Sequence, residues 1–292
     1  MHIIMDGRNY RQAVELHRGG VQMQNIREKF AQYQKMGISF VRDGGDALGV
    51  SAAARSIAGE YGIDYRTPLF AIHKEGHYGG IVGHSFGNWK EYCALVQRVR
   101  EQGGHFIKIM LSGIMNFAGD GSVSEEPLAA DEVREMIHIA HESGFAVMAH
   151  VNGARTVQAA AEAGVDSVEH GNFLDEECLA AMAEAHTVWV PTYVTITNLI
   201  GNGRFDDAVL YRLRERQGNM IRKGFEAGVQ IALGSDAGAF LVMHGQGVYD
   251  EYREFCRLLG TDGTQGDMTR QELDAKLLKA EEEIRKRFVP YS

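Results

Sequence analysis

The chain has 292 residues, 45% hydrophobic and 24% charged, with a formal net charge of −9 at pH 7. That balance lacks the basic stripe with which a protein neutralises nucleic-acid phosphates, and no apolar run reaches the roughly 20 residues of a spanning helix. No nucleic-acid partner and no membrane span are therefore expected, and without a basic-then-apolar N-terminal stretch the chain reads as cytoplasmic. Cys93, Cys178 and Cys256 are odd in number and lack any C-x-x-C spacing, which argues against a disulfide framework or a thiolate zinc site.

In chain order, a short strand piece is expected at His2-Ile3-Ile4-Met5, then a helix over 21–36 and a strand over 38–43. A helix over 48–60 leads to a strand over 68–73, and Asn88 with Glu91 reads as a capping box opening a helix over 88–102. From there strands over 106–111, 145–151, 166–170, 188–194 and 230–235 alternate with helices over 130–143, 153–163, 175–185, 207–227 and 247–259. Gly103-Gly104, Gly144, Gly164 and Gly228 each stand where a helix closes just before a strand. Such alternation implies parallel strands with helical crossovers, and eight units fit an α/β fold of the (β/α)8 barrel type better than an open sheet. The reading divides the chain into a barrel domain at 1–265 and a helix within 266–292. That helix opens on a second capping box, Thr269 with Glu272, and aligns Leu273, Leu277, Ile284 and Phe288 on one face. It is expected to dock on the barrel or on a second subunit of a homo-oligomer.

Barrel chemistry sits at the C-terminal ends of the strands. Lys108, His150, His170 and Asp236 occupy or follow such ends. A lone strand histidine is more often a hydrogen-bonded core residue, but two in successive units can converge on one ion. Asp236, in GSDAG, is either a turn former or a ligand and general base. Lys108 alternates with Ile107 and Ile109, so an interior ammonium there must be paired, deprotonated or modified. Tyr193 is a candidate oxyanion donor or an aromatic filling the mouth, and His244 is a further catalytic candidate. The His- and Gly-rich stretch 73–84 suggests a loop over the site, with His77 and His84 as substrate contacts or solvated residues. Arg155 is a candidate for a substrate carboxylate, and Arg42 with Asp43 reads as a structural interior ion pair.

Six segments carry a family resemblance: FIKIMLSG at 106–113, VMAHVNG at 147–153, AGVDSVEHG at 163–171, VPTY at 190–193, GSDAG at 234–238 and HG at 244–245. Together, over roughly residues 2–260, they resemble the metal-dependent amidohydrolase superfamily, in particular its imidazolonepropionase-like and Xaa-Pro or Xaa-Arg dipeptidase-like branch. The resemblance implies a binuclear divalent-metal centre, zinc first among the candidates. Lys108 would be carboxylated by CO2 and bridge the ions, His150 and His170 would hold one, and Asp236 would bind the other and move the proton. The family's His-x-His at the end of the first strand is matched only by His2, with Met1 as the middle residue. The expectation is thus a barrel with a truncated first strand, no β-sandwich domain and an extra C-terminal helix. It would hold one or two ions and hydrolyse an amide-type C–N bond of a dipeptide, cyclic amide or other small molecule with metal-activated water. The alternatives are an impaired barrel acting as a binding protein and a Schiff-base lyase using Lys108.

Overall fold

A computed structural model of the protein describes residues 1–118, 122–261 and 268–289. Its elements are α1 (Tyr10–Leu16), α2 (Met23–Lys35), β1 (Phe40–Arg42), α3 (Val50–Ile57), β2 (Asp64–Arg66), β3 (Ala71–Lys74), β4 (Gly83–Phe86), α4 (Trp89–Glu101), β5 (Ile107–Met110), α5 (Ala130–Glu142), β6 (Val147–Val151), α6 (Ala154–Glu162), β7 (Ser167–His170), α7 (Glu176–Glu184), β8 (Val188–Val190), α8 (Val194–Thr197), α9 (Asp207–Glu226), β9 (Gln230–Ile231), α10 (Gln246–Leu259) and α11 (Arg270–Arg287). Seven strands form one parallel sheet in the order β4-β3-β5-β6-β7-β8-β9, and β1 pairs in parallel with β2. The (β/α)8 class expected from the sequence holds. β1, then β2 continued by β3, then β5 to β9 follow one another around the wall, and β4 is added outside β3.

The wall position between β9 and β1 is taken by the first two residues. The Met1 amino group donates to the Arg42 carbonyl (3.2 Å), Gly44 N–H to the Met1 carbonyl (2.7 Å) and His2 N–H to the Ala237 carbonyl (2.9 Å). The strand expected at His2-Ile3-Ile4-Met5 does not form. Ile3 and Ile4 lie in a turn and are fully buried against Ile26 and Phe30 of α2, so burial rather than a ladder fixes them.

The pleat sorts each strand between two environments. In β5, Ile107 and Ile109 face the helical layer with Val96, Val99, Met136 and Ile137, while Phe106, Lys108 and Met110 fall on the other face. The expected strand over 188–194 stops at Val190, because Pro191 cannot donate to a ladder and Thr192 adopts φ 50°. The separate β2 and β3 flank Pro68 for the same reason. At Gly83 a Cβ would stand 1.7 Å from the Ala71 carbonyl oxygen, so only glycine lets β4 approach β3.

α11 begins on the expected Thr269–Glu272 capping box. Leu273 and Leu277 join the main core, whereas Ala280, Ile284 and Phe288 pack on Phe106, Met148, Val188, Val190 and Ala232. The helix thus docks on its own barrel and lines the barrel interior from below. The expected boundary at 265/266 lies outside the described residues, as do residues 290–292 of the expected final segment. Among the described residues there is no β-sandwich domain, and no helix is long and apolar enough to cross a membrane.

Candidate metal and catalytic site

One cavity of about 1390 Å³ opens at the C-terminal ends of the strands and runs down to α11. His2, Lys108, His150, His170 and Asp236 all line it. Backbone geometry puts several of them there. His170 (φ 69°), Thr192 (φ 50°) and Asp236 (φ 54°) are left-handed, a conformation costing L-residues about 1–2 kcal/mol each. Pleat parity would turn His170 away from Ser167 and Glu169. The reversed φ brings it back to the cavity, 4.7 Å from the His150 ring, centroid to centroid.

The hydrogen bonds fix which ring nitrogen of each histidine is bare. His150 Nε2 lies 3.0 Å from the Gly113 carbonyl, which only accepts, so Nε2 carries the proton and Nδ1 the lone pair. His2 Nδ1 donates likewise to the Gly45 carbonyl (3.0 Å), leaving Nε2 bare. Thr192 Oγ1 spends its own proton on the Pro191 carbonyl (2.7 Å) and accepts from His170 Nδ1 (2.7 Å), leaving His170 Nε2 bare. Burial holds all three neutral. It lowers the His2 pKa, brings His150 to about 3 with the help of Lys108, and sets His170 well below the usual histidine range, His150 and Lys108 adding to the effect.

Lys108 is 3% exposed and makes no hydrogen bond or ion pair among the described residues. Burial lowers its pKa to about 8 against the opposing pull of Glu169 and Asp236. Glu169 is already engaged, accepting from Arg42 Nη2 (3.0 Å) and Ser167 Oγ (2.7 Å). The interior ion pair of Arg42 is therefore with Glu169 across the barrel, and not with Asp43, which accepts from Ser51, Tyr65 and Gly45.

Bare imidazole nitrogens, a carboxylate and a buried lysine without a protein partner are the donor chemistry a divalent ion takes. The anchors on the far nitrogens are the supporting contacts such ligands need. Among the described residues no three His, Cys, Asp or Glu side chains already enclose an ion. Lys108, His2 and Asp236 line the same cavity as the His150–His170 pair.

The other sequence candidates stand elsewhere. Tyr193 turns its hydroxyl to the Arg214 carbonyl (2.8 Å) in the helical layer, because α8 begins there and reverses the side chain's direction. Thr192 lines the cavity in its place. His244 has both nitrogens engaged, Nε2 with the Met5 carbonyl (2.8 Å) and Nδ1 with Tyr33 (3.0 Å), so it offers neither lone pair nor transferable proton to the cavity. His77 sits 3.6 Å from Glu125, His84 packs on Phe70 and Arg155 is exposed at the start of α6; none lines the cavity. From the 73–84 stretch Tyr78, Gly79, Ile81 and Val82 line the cavity, Tyr78 with its ring 5.3 Å from that of His150.

Sequence reasoning missed Asn152 and Asn172. Asn152 donates to Gly113 O (3.0 Å) and accepts from the backbone N–H (3.1 Å) and side chain (2.8 Å) of Asn172, tying the loops after β5, β6 and β7 together. The signal was their place two residues after His150 and His170.

The family model described as the amidohydrolase family matches residues 71–268. An uncharacterised protein of Mycobacterium tuberculosis is 31% identical over 172 residues, 56% of this chain and 45% of that protein. Ochratoxinase of Aspergillus niger is 30% identical over 140 residues, 46% of this chain and 29% of the enzyme. The matched region thus spans less than half the length of these curated relatives. Among solved structures, an amidohydrolase superposes with a TM-score of 0.75 at 21% identity, over 99% of this chain and 75% of that one. A Xaa-Pro dipeptidase with bound methionine in its active site gives 0.70 at 23% identity, over 96% and 74%. These likenesses establish the shared barrel fold.

Proposed function

The chain belongs to the amidohydrolase family, and from that premise we propose that it is a metal-dependent hydrolase of amide-type C–N bonds in small, dipeptide-like molecules. The observation that carries the reading is the set of three cavity histidines, each anchored through one nitrogen and bare at the other. His150 Nδ1 and His170 Nε2 would hold one divalent ion, with Lys108 as a third ligand once carboxylated. His2 Nε2 and Asp236 would hold a second. An ion there supplies Lewis acidity toward the scissile carbonyl and acidifies water.

The chain's own groups supply the rest. Asp236 takes a proton from the attacking water and delivers it to the departing nitrogen. Tyr78, Gly79, Ile81 and Val82 line the cavity on the β4 side. Lys108, with its pKa lowered to about 8, exposes a larger share of free amine than an ordinary lysine. That amine is the form that reacts with CO2, and it is also the form a Schiff-base lyase would use. Borohydride trapping of a carbonyl compound on Lys108 would favour the lyase.

The test is hydrolysis of a panel of dipeptides and N-acyl amino acids by chelator-treated protein before and after addition of Zn²⁺ or Mn²⁺. Activity should appear with the ion, and Asp236→Asn should lower kcat by about 10²–10⁴-fold, the range of a lost general acid–base group. Hydrolysis that is indifferent to chelation and to Asp236→Asn would overturn the proposal.

A further inference from the structure

We propose that Asp43 is the positioning residue for His2, setting through Gly45 the ring that would hold the second divalent ion; this rests on the metal reading above. His2 lies outside any strand. Its ring is held where Nδ1 donates to the Gly45 carbonyl (3.0 Å), and its backbone where N–H donates to the Ala237 carbonyl (2.9 Å). The same Gly45 donates its N–H to Asp43 Oδ1 (2.9 Å). A single residue thus joins carboxylate to imidazole, where a metal-ligating histidine often meets its carboxylate directly.

Asp43 is fully buried, and the donors it meets are all neutral: Gly45 N–H, the Ser51 hydroxyl (2.9 Å) and the Tyr65 hydroxyl. Thr67 Oγ1 accepts from Leu69 N–H (2.8 Å), so its own proton goes to Ser51 Oγ (2.5 Å), and Ser51 in turn donates to Asp43 Oδ2. That chain of hydroxyls fixes the plane of the carboxylate. A carboxylate buried among neutral donors costs stability that an uncharged residue would not. What it supplies here is a fixed, charged acceptor beside the anchor of His2. Burial disfavours a charged His2 ring, and Asp236 and then Asp43 pull the other way. The turn also leaves the ring no room. Gly45 has φ 83°, and a Cβ there would stand 2.7 Å from Phe70 Cα; a Cβ at Gly44 would stand 2.3 Å from His2 Cε1. A shift of the turn therefore moves the imidazole. His150 and His170 take their anchors from Gly113 and Thr192 instead, so the two halves of the site are oriented by separate contacts.

The experiment compares wild type with Asp43→Asn, Asp46→Asn and His2→Gln. Asp46 is the structural control: it is buried close by, but its carboxylate accepts from Leu48, Val50 and Ser51 N–H at the start of α3 and not from Gly45. Imidazole ¹⁵N–¹H correlation spectra of metal-free protein at neutral pH read the His2 tautomer, and His2→Gln assigns its signals. Wild type and Asp46→Asn should show the Nδ1–H form, and Asp43→Asn should shift toward the Nε2–H form. In a Co²⁺ titration, Asp43→Asn should weaken the second equivalent by about 10–100-fold and leave the first unchanged. Tyr65→Phe removes one donor to the carboxylate and should move both readouts the same way by less; it decides the matter if Asp43→Asn does not fold. An unchanged His2 tautomer in the folded variants, an equal shift in Asp46→Asn, or equal weakening of both equivalents would each overturn the role of Asp43. Co²⁺ binding that His2→Gln leaves untouched would sink His2 as a ligand, while the tautomer comparison would still decide whether Asp43 orients it.

Discussion

Thr192 decides more about this site than its neighbour Tyr193, although the tyrosine has the more conspicuous chemistry. It spends its hydroxyl proton on Pro191 and so fixes His170 with Nε2 bare. Thr192→Val keeps the shape and removes the acceptor. Metal affinity should fall by about 10–100-fold, the usual cost of losing such a supporting contact, as read by competition with a chelating indicator. His244 belongs to stability rather than catalysis. Burial depresses its pKa to about 3, with Lys29 adding to the effect, against an ordinary value near 6.5. The stability it contributes is present above pH 6.5 and is lost as the pH falls from there toward 3. In metal-free protein, urea midpoints should drop over that window, and His244→Gln should flatten the slope. Lys108, His150, His170 and Asp236 were legible as a group from their places at strand ends. The direction of Tyr193, the saturation of His244 and the exposure of Arg155 were not, since each depends on a backbone turn or a distant partner that spacing does not encode.

At the scale of elements, α8 has four residues and is held by α10 as well as by α9. Glu251 is fully buried and accepts from Tyr193 N–H (2.9 Å) and Val194 N–H (2.8 Å). Burial raises its pKa to about 8, outweighing those two donors. The folded carboxyl keeps its proton where the unfolded one, near 4.5, has lost it, so this contribution is full below pH 4.5 and disappears as the pH rises through 8. Unfolding free energies of wild type and Glu251→Gln between pH 5 and 8 should therefore converge as the pH rises. Convergence in the opposite direction would contradict this assignment. Long elements were legible because apolar periodicity repeats over several turns and a cap opens them: in α4 Asn88 accepts from Glu91 N–H, although Glu91 does not return the bond to Asn88 N–H, and α11 opens on a full capping box. α1, α8 and β4 are too short for periodicity to accumulate, and β4 exists through the close approach that Gly83 allows.

At the scale of the whole molecule, the alternation of strands and helices was enough to give the barrel, because parallel strands admit few other arrangements. The seat of α11 was not readable, since an amphipathic pattern shows which face is buried and not what covers it. Its Ile284 and Phe288 fill the barrel interior beside Phe106 and Val188. Phe288→Ala should cost about 3–5 kcal/mol in urea unfolding, and a change near zero would mean that the helix does not seal the barrel in solution. The central claim is that this interior holds a divalent ion on His150 and His170. The most direct measurement is the absorption spectrum of chelator-treated protein titrated with Co²⁺. Visible d–d bands should grow to one or two equivalents, and the His150→Ala/His170→Ala double variant should lose at least one equivalent of them. A wild-type protein with no such bands, or a double variant that keeps the full wild-type bands, would contradict the metal centre outright.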